Sequence, residues 1–144
     1  MAIINTLPKC LESPYLFRDD AAPAQVPALL GRAGDRLGAA ADLLGAPKSD
    51  PGDISTLSYE CMFSSLRALV YARGYREAGL RCLLLACEQW YVRAGLLDAG
   101  HLRAFERAQG MKLAPAEAVA AARDFVEAAR ALVGGVPVAA VERA

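Results

Sequence analysis

The sequence predicts an all-α fold, a four- to five-helix up-and-down bundle. Three observations carry that prediction. Apolar residues recur at three- and four-residue steps over several long stretches, alanine supplies 30 of the 144 residues, and no segment alternates with the two-residue period of a half-buried strand. No internal repeat interrupts the pattern. A chain of this length forms one domain that buries roughly 68–70% of its unfolded surface, so a core needs neither metal nor disulfide.

The elements follow in order. Residues 1–25 form an N-terminal arm in which Pro8, Pro14 and Pro23 prevent a long helix, while Tyr15, Leu16 and Phe17 are apolar enough to dock on the chain's own bundle or on a partner subunit. The bundle spans residues 26–133. Its first helix runs from Val26 to Leu44, with Leu30, Ala33, Leu37, Ala40 and Leu44 as the apolar stripe and Arg32, Asp35, Arg36 and Asp42 elsewhere. Gly31, Gly34 and Gly38 each cost about 1 kcal/mol in helix propensity, and close approach of another helix is the simplest compensation. With Ala41 and Gly45 they line one side.

Residues 46–52 read as a loop, and a second helix begins at Asp53 or Ser55. Tyr59, Met62, Phe63, Leu66, Leu69 and Val70 make its core stripe, and Cys61, Ser65, Ala68 and Ala72 a second stripe of small residues. It ends at Arg73, with Gly74 as the glycine that follows a helix terminus. The third helix is expected from about Arg76 to Leu97. Its middle turns are apolar almost all round, which places it either at the bundle centre or at a subunit interface. Asp98 then caps a short fourth helix, with Leu97 and Leu102 as a hydrophobic staple and Gly110 as its stop. Pro115 and Glu117 open a fifth helix whose Val119, Ala122, Val126, Ala129 and Val133 face inward. Residues 134–144 form a C-terminal tail expected to lack structure.

Charge and cysteine content bound the function. The 16 basic and 16 acidic residues cancel, which excludes a strongly basic nucleic-acid binder and an acidic solvating tail. Met1 to Pro23 lack the basic and apolar regions of a secretory signal, and the longest apolar runs are far short of a membrane span, so a cytoplasmic protein without membrane contact is expected. In that compartment Cys10, Cys61, Cys82 and Cys87 are expected to be free thiols. Cys82 and Cys87, five residues apart on a helix, point in different directions and make no metal pair. No metal or cofactor is expected.

His101 is the single imidazole, in the first turn of the fourth helix, and reads most simply as a polar residue near a cap. No hydrolase, metalloprotease or phosphate-loop motif is present. Thirteen of the basic residues are arginine, and Arg67, Arg73, Arg76 and Arg81 gather around Gly74. Guanidinium groups suit phosphate, and a helix N-terminus beside them adds free amides. Arg67, Arg73, Tyr75 and Arg76 are therefore the candidate ligand-binding residues. The competing structural reading gives Arg73 to the helix terminus, pairs Arg81 with Glu77 four residues earlier, and pairs Arg67 with Glu60 or with a carboxylate across the bundle.

The run Tyr59-Glu60-Cys61-Met62-Phe63, followed by Leu66-Arg67-Ala68-Leu69-Val70-Tyr71-Ala72 and Arg73-Gly74-Tyr75-Arg76-Glu77, resembles the HEPN superfamily. The resemblance is closest to a branch of small bacterial HEPN-like proteins and extends over residues 27–133 as a pattern of helices. It implies an up-and-down bundle, usually homodimeric, in a superfamily of metal-independent ribonucleases, toxins paired with nucleotidyltransferase antitoxins, and non-catalytic RNA- or nucleotide-binding members. The ribonucleases carry an Arg followed after four to six residues by His. Here Arg93 precedes His101 with seven residues between them, and no His follows Arg76. The expectation is thus a non-catalytic RNA- or nucleotide-binding or protein-interaction module, forming a homodimer or meeting an antitoxin-like protein partner. The alternative is a metal-independent ribonuclease or toxin-like protein that uses Arg93 and His101.

Overall fold

The computed structural model describes residues 4–134 and is organised around one central helix. In chain order its elements are α1 (Leu7–Leu11), β1 (Leu16–Arg18), a 3-10 turn (Ala22–Gln25), α2 (Val26–Gly45), α3 (Pro51–Tyr71), β2 (Tyr75–Glu77), α4 (Leu80–Cys87), a π turn (Glu88–Val92), α5 (Ala99–Gln109), α6 (Pro115–Ala129) and a second π turn (Arg130–Gly134). The protein is a mostly-α helical bundle, as the periodicity predicts.

α3 buries Ile54, Cys61, Met62, Leu66, Ala68, Leu69 and Val70, and touches every other long helix. Both of its predicted stripes pack. Tyr59 stacks on Phe105 of α5 with ring centroids 5.1 Å apart, and Phe63 meets the same ring edge-on at 5.9 Å. Three serines, Ser58, Ser64 and Ser65, are also buried on α3, which lets neighbouring helices approach closely. Ser65 donates its hydroxyl to the Cys61 carbonyl one turn back at 2.9 Å.

Local capping signals hold where they were read. The Asp98 carboxylate accepts from the Gly100 amide at 2.7 Å, and Leu97 and Leu102 are both buried beside it. At the start of α6 the Glu117 carboxylate accepts from the Ala114 amide at 3.1 Å. α3 begins slightly earlier than expected, because Asp50 caps it by accepting from the Gly52 amide at 2.8 Å.

Several expectations are corrected. Residues 75–77 are not the start of a helix but a strand, paired antiparallel with the arm in the register Leu16–Glu77, Phe17–Arg76 and Arg18–Tyr75. The second helix stops at Tyr71, and Gly74, at φ 82°, turns the chain into that strand. The third helix is consequently shorter: α4 spans eight residues, and the wide turn after it donates the Arg93 amide to the Glu88 carbonyl five residues back. Its second apolar side is covered by the arm, which therefore docks on its own bundle. In the first helix, Leu44 is 40% exposed and does not join the core. Among the described residues nothing approaches Gly31, Gly38 or Gly45, and of the glycines in this helix Gly34 alone is closely covered, by the Arg130 guanidinium.

The cysteines are the largest correction. Cys10 and Cys82 are joined in a disulfide, with Cα atoms 5.6 Å apart and 72 residues between them in sequence. Cys61 and Cys87 are free and buried. No helix among the described residues is long and apolar enough to cross a membrane. Of the tail expected to lack structure at 134–144, Gly134 instead closes the second π turn, and residues 135–144 lie outside the described residues.

Candidate functional site

Arg67 and Arg76 meet around Tyr71 and Glu77, Arg81 does not join them, and each candidate ligand-binding arginine already has a partner. β2 places Glu77 beneath the C-terminal end of α3, where its side chain is 7% exposed. Arg67 donates Nε to Oε1 at 3.3 Å and to Oε2 at 3.2 Å, and a terminal nitrogen to Oε2 at 3.1 Å. The Tyr71 hydroxyl donates to the same carboxylate at 2.6 Å. Three donors on a nearly buried carboxylate form a charge-assisted network that ties α3 to β2. Burial pushes the Tyr71 phenol up to about 12, and its hydrogen bond to Glu77 acts in the same direction.

The guanidiniums of Arg67, Arg73 and Arg76 also lie over aromatic rings. Arg67 sits 4.4 Å from the centroid of Phe63, Arg73 5.4 Å from Trp90, and Arg76 5.9 Å from Tyr71. Tyr75 packs on Trp90 with centroids 5.1 Å apart, and Arg76 faces Asp19 at 3.7 Å. Glu77 is thus the hub of this region, a role the sequence reading gave to no residue. Arg67 takes the carboxylate from across the fold. Its proposed partner Glu60 is instead held by Arg36 at 2.7 Å. Arg81 does not pair with Glu77, because the two are no longer on one helix; it is exposed and borders a cavity of about 550 Å³ with Leu80, Leu84, Glu106 and Gln109.

The structure does not assemble Arg93 and His101. Arg93 faces Glu88 at 3.6 Å and borders a cavity between the π turn and residues 5–8 of the arm. His101 packs on Phe125, 5.5 Å between ring centroids, on the side where α5 meets α6. The carboxylate beside Arg93 is Glu88, and among the described residues no hydroxyl or carboxylate is hydrogen-bonded to the His101 imidazole, as a nucleophile–base pair would require.

The free cysteines are also poor nucleophiles. Burial pushes the Cys61 thiol up to about 11 and the Cys87 thiol up to about 12. Cys61 donates weakly to the Ala122 carbonyl at 3.7 Å, joining α3 to α6. Among the described residues no cluster of three or more His, Cys, Asp or Glu side chains could hold a metal ion.

These features define a helical-bundle protein whose polar side chains serve mainly its own architecture. No family model, curated protein or solved structure matches the chain.

Proposed function

We propose that the chain is a non-catalytic, HEPN-like interaction module whose partner is a protein, a second copy of the chain included. The observation that carries this reading is the state of the arginines. Arg67 is committed to Glu77, Arg76 faces Asp19, and Arg73 lies on Trp90, so a phosphate would have to displace an existing partner at each position. Apolar surface is available instead: Leu11, Tyr15 and Phe17 on the arm are each more than two-fifths exposed.

RNA binding and protein binding separate cleanly in salt. A single-stranded RNA probe should show no affinity that changes between about 50 and 200 mM salt, whereas light scattering at tens of micromolar should report a dimer or a stoichiometric protein complex. Salt-dependent RNA binding that weakens in Arg67→Ala and Arg76→Ala overturns the reading in favour of a phosphate ligand. RNA cleavage without metal that is lost in His101→Ala would restore the ribonuclease alternative.

A further inference from the structure

The arm is fastened to the bundle by two devices of different chemistry. Residues 16–18 are held by the ladder to β2, extended by the Asp19 amide on the Gly74 carbonyl and the Ala78 amide on the Tyr15 carbonyl, both at 2.9 Å. Residues 4–13 have no such ladder. Their helix, α1, is five residues long, far below the length at which a helix persists alone in water. Its buried residue is Cys10, and Cys10 is the one bonded to α4.

The bond itself is buried, with Cys10 at 0% and Cys82 at 2% exposure, but the surface beside α1 is pocketed. An open, mostly apolar pocket of about 230 Å³ is bordered by Ile4, Tyr15, Gly79, Leu80, Arg81 and Cys82. A second, of about 220 Å³, lies between residues 5–8 and Leu85, Glu88, Gln89 and Arg93. A five-residue helix with open pockets beside it and Cys10 as its one buried residue gains little from apolar burial, so its position depends on the covalent link.

We propose that α1 is a redox-released strap: reduction of Cys10–Cys82 frees residues 4–13 from α4 while the β1–β2 ladder and the bundle remain folded. The reductant is a dithiol. As α1 frays and uncovers the buried bond, the reductant's thiolate attacks Sγ of Cys82, forming a mixed disulfide and expelling the Cys10 thiolate, which takes a proton from water. Its second thiolate then closes the reductant's own disulfide and releases Cys82 as a thiolate, which is protonated in turn. Two electrons pass from the dithiol to the cystine, and a disulfide oxidant of the same class reverses the exchange. Release exposes Leu85 and the side of α4 that α1 covers. Cys61 and Cys87, free thiols buried in the bundle, stay outside the exchange.

Hydrogen exchange and trypsin digestion of the full chain test this, with the oxidised protein compared with the dithiothreitol-treated protein and with the Cys10→Ser/Cys82→Ser double variant. The Cys10, Glu12 and Ser13 amides, which donate within α1, should exchange at least about tenfold faster in both reduced forms, and cleavage after Lys9 should accelerate similarly. Amides of α3 and α6 should keep their protection. Unchanged exchange across α1 overturns the proposal, because the helix would then hold without its link. Loss of protection in α3 and α6 as well overturns it too, since the bond would then staple the whole fold. So would the finding that all four cysteines of the untreated protein alkylate once it is denatured.

Discussion

The bundle and the N-terminal arm are stabilised in opposite ways. Around α3, order comes from many large side chains sharing one interior: Phe105, Phe125, Met62, Leu66 and Leu69 are all fully buried, and losing any one contact leaves the others in place. In the arm, order comes from a disulfide, a three-residue ladder and the buried Leu16. Distributed burial makes a region cooperative, whereas point attachments let a region come loose without the rest. The arm also carries Leu11, Tyr15 and Phe17, three of the molecule's most exposed large apolar side chains.

The comparison can be broken most forcefully from the bundle side. Phe105→Ala removes the ring that Tyr59 and Phe63 both pack against and should cost about 3–5 kcal/mol in urea unfolding. A loss below about 1 kcal/mol would mean that α5 is not part of the cooperative core.

A smaller effect should appear where the two regions meet. Glu77→Gln leaves the Arg67 guanidinium without its carboxylate at a site where the acceptor is nearly buried, and should cost about 1–3 kcal/mol. The Asp19 and Ala78 amides, which extend the ladder, should then exchange faster while α6 does not change. Equal loss of protection in both places would erase the distinction between ladder and bundle.

The smallest expected effect is at alkaline pH. The Tyr71 phenol is held near 12 in the folded chain by burial and by its bond to Glu77, against 10.0 for the ordinary side chain. Between these values the unfolded chain gives up the proton and the folded chain keeps it. This contribution to stability is therefore complete below pH 10 and is lost as pH rises toward 12. The urea midpoint should fall across that window, and less steeply in Tyr71→Phe; identical slopes would remove Tyr71 from the account.

Legibility in the sequence divides along the same line. The Asp98 cap, the Leu97–Leu102 staple, the Pro115 start and the turn at Gly74 are set by residues within a few positions of one another, so local rules suffice. The strand at Tyr75–Glu77 is not legible locally, because its reason to be extended is a partner in the arm. The Cys10–Cys82 bond joins positions 72 residues apart, and neither cysteine sits in a motif that announces it. The arginine cluster was found by composition, but Glu77, which neutralises Arg67, stands out only once β2 is in place. At Gly31 and Gly38 a sound rule about small residues meets a face that nothing among the described residues covers.

The wide turn at Glu88–Val92 has a consequence for comparing chains. An ordinary helix rotates about 100° for each added residue, so an insertion redirects every side chain that follows. A π turn absorbs one extra residue within itself. Here it directs the Tyr91 hydroxyl to the Leu69 carbonyl at 2.6 Å while Trp90 stays against Tyr75. A homologue without the wide turn would align to this chain with a single-residue gap between Glu88 and Arg93, and beyond that gap Leu97, Leu102 and Phe105 would still match core positions.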